Sequence, residues 1–373
     1  MYIPYGRQSI EEDDIQAVVE ALQADFLTTG PRITEFEQKF AEYVGARYAV
    51  AVSNGTAALH LACLAAGIKE GDEVITTPIT FVASANCVLY CGAKPVFADI
   101  NPVTYNIDPV DIRRKITNKT KAIIAVHFTG QPCQMDEIRK IAEEHNLLVI
   151  EDAAHALGAE YKGKRIGCIS EMTTFSFHPV KHITTCEGGM VTTNDKVLYD
   201  RLSLFRSHGI TRDPAALINN EGPWYYEQQE LGYNYRITDV QCALGLSQLK
   251  KLDKFIERRK EIADKYNEAF KGLEGIVIPG QTENGLNSWH LYVIQVTNKS
   301  RKSVVEELHA KNIGVNVHYI PVYRQPFYQK NGYADVRCIN SERLYENIIS
   351  LPMYAGLSIE EQDYVIAQIK ELI

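Results

Sequence analysis

Two of the best-known nucleotide-binding signatures are missing from this chain, which contains neither a GxGxxG turn nor a GxxxxGK[ST] loop. It lacks a CxxC pair as well. The eight cysteines (Cys63, Cys87, Cys91, Cys133, Cys168, Cys186, Cys242 and Cys338) are scattered, several of them inside apolar runs. Reduced, mostly buried thiols are the reading, and no metal site is expected, even though Cys87 and Cys91 could share a helix face. There is no basic excess: 39 Lys and Arg stand against 47 Asp and Glu, a formal charge of −8. Such a chain has little with which to neutralise a phosphate backbone, so nucleic acid is not an expected partner. Long hydrophobic runs are also absent. The longest mostly apolar stretch, residues 55–68, carries His60 and falls short of the ~20 residues that span a bilayer. The opening MYIPYGRQSIEEDD has neither the basic nor the apolar region of a secretory signal. No membrane association and a cytoplasmic location are therefore expected. With 24 Gly and 14 Pro in 373 residues, and no repeat or Pro- or Ser-rich linker, low-complexity readings are excluded too.

What is present is an α/β pattern. Between Tyr48 and Thr193, short apolar runs rich in β-branched residues alternate with helical segments, as in a mainly parallel sheet covered by helices. The clearest strands are YAVAV (48–52), EVITT (73–77), PVFADI (95–100), KAIIAVHF (121–128) and NLLVIED (146–152), followed by TTFSF and GGMVTT. A long helical pattern runs from Thr238 to Leu273, and that length implies a bend or a linker. Beyond it lie a strand HLYVIQV, a helix SVVEELHAKN closed by Gly314, a strand VNVHYI and a C-terminal helix IEEQDYVIAQIKELI. Two domains are expected at this length. An N-terminal arm with a large domain would occupy residues 1–245, and the linker helix with a smaller α/β domain residues 246–373.

Three features carry chemistry. In SNGTAALHLACLAAG a strand ends, Ser53-Asn54-Gly55-Thr56 turns, and a helix begins near Ala57, which offers free amides to an anion. An ordinary helix cap would look the same. In VIEDAAHALGA an apolar strand delivers Asp152 to its C-terminal end, the edge at which open α/β sheets bind ligands. Lys181 then follows 29 residues later, in a polar connection between two apolar strands. A phosphate-binding helix start, a carboxylate and a lysine together meet the needs of pyridoxal 5′-phosphate, whose ring nitrogen takes a carboxylate and whose aldehyde takes a Schiff-base lysine.

With these residues in place, the chain resembles the sugar aminotransferases of the DegT/DnrJ/EryC1/StrS family over nearly its whole length. The matching segments are Pro4-Tyr5-Gly6, FLTTGP (26–31), SNGTAAL (53–59), TTPITFVASAN (76–86), EDAAHALGA (151–159), FSFHPVKHITTCEGG (175–189), FRSHGI (205–210) and GYNYRITDVQCALGLSQLKKL (232–252). The resemblance implies the type I PLP-dependent transferase (aspartate aminotransferase-like) fold, with a mainly parallel seven-stranded sheet. It makes Lys181 the Schiff-base lysine and Asp152 the partner of the ring nitrogen, with Phe81 over one ring face and His155 near the phenolic oxygen. Thr56, Ala57 and Ser176 would hold the phosphate, helped by Asn234 from the neighbouring subunit of a homodimer.

Within the family, FHPVKHITTCEGG, FRSHGI and VNVHYIPVY most resemble the 4-aminotransferases of the pseudaminic acid pathway. This implies transfer of the amino group of L-glutamate to C4 of a UDP-linked 4-keto-6-deoxy-N-acetylhexosamine. Substrate contacts would fall on Tyr5, on Asp25, Phe26, Leu27 and Thr28, and on Asn316, Val317, His318 and Tyr319. Arg236 and the tyrosine-bearing segment 319–323 could supply donors and stacking surface to a nucleotide diphosphate. His182 stands where relatives commonly have proline, and the helix-start turn is Ser-Asn-Gly-Thr rather than a Ser-Ala-Thr-Ser-like form. Another nucleotide-sugar aminotransferase, a dehydratase of the same family, a dTDP-linked substrate and a non-catalytic binding protein on the same fold are the alternatives.

Overall fold

Proline and glycine mark where the first elements begin and end. In the computed structural model, which describes residues 2–373, helix α1 (Glu12–Leu22) is followed by α2 (Pro31–Val44). Pro31 stands at the first position of α2, where a missing N–H costs nothing, and Gly45 ends the helix at φ 77°. Seven strands then form the main sheet: β1 (Tyr48–Val52), β2 (Glu73–Thr76), β3 (Lys94–Phe97), β4 (Thr120–Val126), β5 (Leu148–Asp152), β6 (Met172–Ser176) and β7 (Gly189–Thr193). Their spatial order is β1-β7-β6-β5-β4-β2-β3. Every pairing from β6 to β3 is parallel, while β7 runs antiparallel to both of its neighbours. This is the mainly parallel seven-stranded sheet expected from the sequence.

Helices cover both faces of the sheet, which is why its strands read as nearly continuous apolar runs. One face packs against α3 (Gly55–Ala65), α4 (Ala83–Tyr90) and α7 (Lys196–Arg206), burying Val50, Leu61, Ala62, Val191 and Leu202. The other carries α2, α6 (Met135–His145) and α8 (Asp239–Leu249) over Phe36, Phe40, Phe175, Phe177 and Ile138. The short helix α5 (Pro109–Lys115) completes the series between β3 and β4. Phe40 meets Phe175 and Phe177 edge-on, with centroids at 5.0 and 5.5 Å. Each such fully buried ring contributes about 1.5–3 kcal/mol.

The helical pattern of residues 238–273 is two helices, α8 and α9 (Leu252–Phe270), separated at Lys250 and Lys251. At the break the Lys251 amine meets Asp14 (2.9 Å), Glu11 (3.3 Å) and Asp13 at the start of α1. Past α9, a three-stranded antiparallel sheet joins residues 276–277 to β8 (Tyr292–Val296) and β9 (Ile348–Leu351). Helices α10 (Arg301–Ala310) and α12 (Ile359–Leu372) pack there around Tyr266, Tyr292, Ile294, Leu308 and Val365, with α11 (Ile339–Asn347) alongside. VNVHYI, expected as a strand, forms only one bridge, between Asn316 and Ser350. Consecutive residues 316–320 all line one cavity, whereas a strand would send every second side chain away from it.

Candidate active site

The C-terminal ends of β5 and β6, the start of α3 and the segment 316–320 enclose a cavity of about 1090 Å³. Asp152 stands at its floor as the last residue of β5 and is 5% exposed. Its Oδ2 accepts the Ser84 hydroxyl at 2.6 Å and its Oδ1 accepts the Ala154 N–H at 3.1 Å. The carboxylate thus both caps the next turn and faces the cavity. Lys181 is half-buried in the same cavity. Burial depresses its amine to about 8, with Asp152 opposing the shift and Arg259 adding to it.

At the other end of the floor, Asn54 caps α3 by accepting the Ala57 N–H at 2.8 Å. Thr56, Ala57 and Ser176 lie together on the cavity wall. Two glycines permit this close assembly. A Cβ on Gly55 would sit 2.9 Å from the Ser176 Cβ, and one on Gly189 would sit 2.5 Å from the Asn54 carbonyl oxygen. The helix begins at Gly55, two residues earlier than the sequence pattern indicates, so the amides of its first turn border the space where a phosphate would sit.

Imidazoles gather beyond Asp152, where His155, His290 and His318 line the cavity and His182 packs behind them. The His155 Nε2 lies 3.2 Å from the Tyr319 hydroxyl, and its ring centroid is 4.4 Å from that of His290. His182 is 5.6 Å from His290 and directs Nε2 at the Ser288 carbonyl at 3.0 Å. Because that carbonyl can only accept, His182 carries its proton on Nε2. Burial, then the charge of Lys181, holds His155 and His290 well below the ordinary histidine range and His318 down to about 4. Nδ1 of His155, of His182 and of His290 is buried without a protein partner. A carboxylate with unused acceptor capacity, a depressed amine and a helix start whose glycines leave room beside Ser176 fit pyridoxal phosphate.

Of the residues singled out in the sequence, Tyr5, Thr56, Ala57, Phe81, Asp152, His155, Ser176, Lys181, Asn316, Val317, His318 and Tyr319 all border this cavity. Asp25, Phe26, Leu27, Thr28, Asn234 and Arg236 do not. They form a strip beside it, in which Thr28 bridges Thr238, the Leu27 carbonyl accepts the Asp239 N–H at 3.0 Å, and Asn234 bridges Ser207 and Arg236 bridges Val52 on either side of Tyr235, which lines the cavity. Asp25 through Thr28 and Asn234 are exposed along it. Sequence reading missed Ser84, Thr80, His290 and Gln325, which also line the cavity. His290 carried a usable signal as the histidine that opens the mostly apolar run HLYVIQV, whereas Ser84 is one of three polar residues in ITFVASAN and does not stand out.

The model of the DegT/DnrJ/EryC1/StrS aminotransferase family matches residues 8–370. A Campylobacter jejuni protein named UDP-4-amino-4,6-dideoxy-N-acetyl-beta-L-altrosamine transaminase is 40% identical over 97% of this chain and 95% of its own length. Among solved structures, Helicobacter pylori PseC, an aminotransferase involved in the biosynthesis of pseudoaminic acid, superposes with a TM-score of 0.92. It is 34% identical, covering 100% of this chain and 99% of that one. The PLP form of a Streptococcus pneumoniae protein described as a putative sugar aminotransferase reaches a TM-score of 0.94 at 33% identity, covering 100% of this chain and 98% of that one. No helix among the described residues is long and apolar enough to cross a membrane.

Proposed function

Since this chain belongs to the DegT/DnrJ/EryC1/StrS aminotransferase family and is a pyridoxal-phosphate-dependent sugar aminotransferase, we propose that it carries the amino group of L-glutamate to C4 of a UDP-linked 4-keto-6-deoxy-N-acetylhexosamine. The carrying observation is a single cavity that joins Asp152, Lys181 and the α3 start to Tyr5 and the 316–319 segment. The choice of sugar is supported by the similarity to the Campylobacter jejuni and Helicobacter pylori enzymes.

When bound, pyridoxal phosphate supplies an electron sink for the bond broken at Cα of the amino donor. The protein's share is binding and proton handling. Thr56, Ala57 and Ser176 would hold the phosphate, and Phe81, which is 59% exposed and lines the cavity, would cover one face of the ring. Asp152 keeps a proton on the ring nitrogen, as only a buried anion at that point can. With an amine depressed to about 8, Lys181 is available near neutrality to take the Cα proton and return it as general base and acid. His155 directs a neutral imidazole at the phenolic oxygen, while Tyr5, Asn316, Val317, His318 and Tyr319 contact the sugar.

We further propose that Asp25, Phe26, Leu27, Thr28, Asn234 and Arg236 serve the site of a second copy in a homodimer. Their strip is exposed and lies outside the cavity of its own chain, with Phe26 56% and Leu27 49% exposed. The division expected near residue 245, between arm with cofactor domain and linker helix with small domain, falls inside α8, and the core around Tyr266 and Tyr292 is the part offered here as the small domain.

Incubation with glutamate and a panel of UDP-4-keto-sugar epimers, beside dTDP-4-keto-6-deoxyglucose, tests the reaction by 2-oxoglutarate release and by NMR of the amino-sugar. Amination of the UDP-L-sugar at C4 is expected. Preference for the dTDP sugar overturns the nucleotide, and amination at C3 overturns the regiochemistry. For the shared site, mixing inactive Lys181→Ala with an inactive Asn234→Ala variant should restore roughly a quarter of wild-type turnover through hybrid dimers with one intact site. No recovery would return Asn234 to a structural role.

A further inference from the structure

Each oxygen of Asp152 has one fixed donor, the Ser84 hydroxyl at 2.6 Å on Oδ2 and the Ala154 N–H at 3.1 Å on Oδ1. Together they set the plane of the carboxylate and leave acceptor capacity on both oxygens. The Ser84 hydroxyl is itself hemmed in by three oxygens: Asp152 Oδ2, the Thr80 hydroxyl at 2.7 Å and the Phe81 carbonyl at 3.4 Å. A hydroxyl has one proton to give, while an ionised carboxylate and a carbonyl can only accept. That proton goes to Asp152, where the contact is shortest and the acceptor is charged. An oxygen 2.7 Å away on the other side must then bring a proton of its own. Thr80 therefore donates to Ser84, and Ser84 donates to Asp152.

Local structure leaves this chain little freedom except at one torsion. Thr80 precedes α4 and Ser84 is its second residue, so the pair closes one helical turn at a spacing of four. The backbone of Ser84 is held from both directions, by its N–H on the Phe81 carbonyl at 3.3 Å and by the Cys87 thiol on its own carbonyl at 3.4 Å. What remains to be fixed is the rotation of the Ser84 side chain, and the Thr80 hydroxyl meets it there. Thr80, Ser84 and Asp152 are all buried and all border the cavity. In such surroundings a hydrogen bond is electrostatically stronger than in water, and members of a chain polarise one another.

We propose that Thr80 is a positioning residue, which locks the Ser84 hydroxyl onto Asp152 Oδ2 and so keeps the carboxylate aimed at the ring nitrogen of the cofactor. The proposal rests on the reading of Asp152 as the partner of that nitrogen. Thr80 acts through Ser84 and adds no charge of its own. Its removal leaves the Ser84 side chain free to turn away from the carboxylate, which then keeps one fixed donor, the Ala154 N–H.

The test is one of binding, so it stands apart from the sugar panel. Pyridoxal 5′-phosphate and its analogue with carbon in place of the ring nitrogen compete for the full-length protein, and the ratio of their dissociation constants is read. Both molecules carry the same aldehyde and phosphate, so Lys181 and the start of α3 cancel from the ratio and the contact of Asp152 with the nitrogen remains. Wild type should prefer the cofactor about tenfold or more, as for a hydrogen bond to a charged group. T80A and T80S both lack the Thr80 methyl and differ in the hydroxyl alone. In T80A the preference should fall about threefold with the analogue bound as in wild type, and in T80S it should be kept. No preference in wild type removes Asp152 from the nitrogen and the proposal with it. A wild-type preference that survives in T80A overturns the proposal alone. So does an equal loss for both molecules, which would place the effect on the cavity wall or on Phe81, and so does a loss in T80S as large as in T80A. If T80A does not fold, neutron diffraction from crystals of the wild-type holoenzyme decides. The Thr80 proton pointing at Ser84 and the Ser84 proton pointing at Asp152 agree with the proposal, and either proton pointing elsewhere overturns it.

Discussion

Glu151 and Asp152 are consecutive residues of one strand, both acidic and both buried, and the fold surrounds them in opposite ways. Strand alternation sends them to opposite faces of the sheet. Glu151 points into the protein, 0% exposed, where Oε2 meets His127 Nε2 at 2.8 Å and Oε1 accepts the Ser170 N–H at 3.1 Å and the Thr173 hydroxyl at 3.2 Å. Its acceptor positions are filled by fixed protein donors, so it holds structure and has nothing to offer a ligand. Asp152 receives one hydroxyl and one N–H and turns its remaining capacity toward a cavity. A buried carboxylate becomes a functional one when the fold leaves part of it unsatisfied.

The largest expected effect lies on the structural side of this pair. His127→Ala leaves the Glu151 charge buried without its imidazole, and breaking such a pair costs about 3–5 kcal/mol. Urea denaturation measures this loss, while kcat of the folded enzyme should change less than about threefold, equivalent to under ~0.7 kcal/mol of barrier. A stability loss below about 1 kcal/mol would mean that Glu151 is held no more tightly than Asp152, and the contrast would fail. On the functional side, Asp152→Asn preserves shape and removes charge. Its kcat should fall about 100-fold, or about 2.7 kcal/mol of barrier, with stability altered by no more than about 1 kcal/mol. Near-normal turnover would remove Asp152 from its role.

The smallest effect sharpens the comparison by removing a donor to Asp152. Ser84→Ala deletes the 2.6 Å hydrogen bond to Oδ2, which is worth about 1 kcal/mol and so about fivefold in kcat. An effect as large as that of Asp152→Asn would show that Ser84 does more than orient the carboxylate.

Much of this was legible in the amino-acid order, and the parts that were not share a cause. The main-sheet strands were readable because strands buried on both faces must be apolar throughout, and Asp152 stood out as a charge at the end of such a run. The strand expected at 95–100 stops at Phe97, because Asp99 leaves the ladder to accept the Asn340 and Ser341 amides from α11. VNVHYI alternates like a strand, yet Asn316 and Ser350 exchange the one pair of ladder bonds it makes. The break between α8 and α9 carries a lysine, Lys251, whose acidic partners lie more than 230 residues away in sequence.

Local chemistry by itself determined the α/β class, the strand-end aspartate, the helix start and the lysine, because each depends on residues within a few positions of one another. Only the tertiary structure decided which further groups attend them. Ser84 reaches Asp152 from another helix, His290 meets His155 from across 135 residues, and Arg259 grips the His290 carbonyl from α9. None of these pairings has a sequence period or a spacing of its own. They exist because packing brings separate elements within hydrogen-bond reach, and there the low dielectric of the interior makes a charge without a partner count.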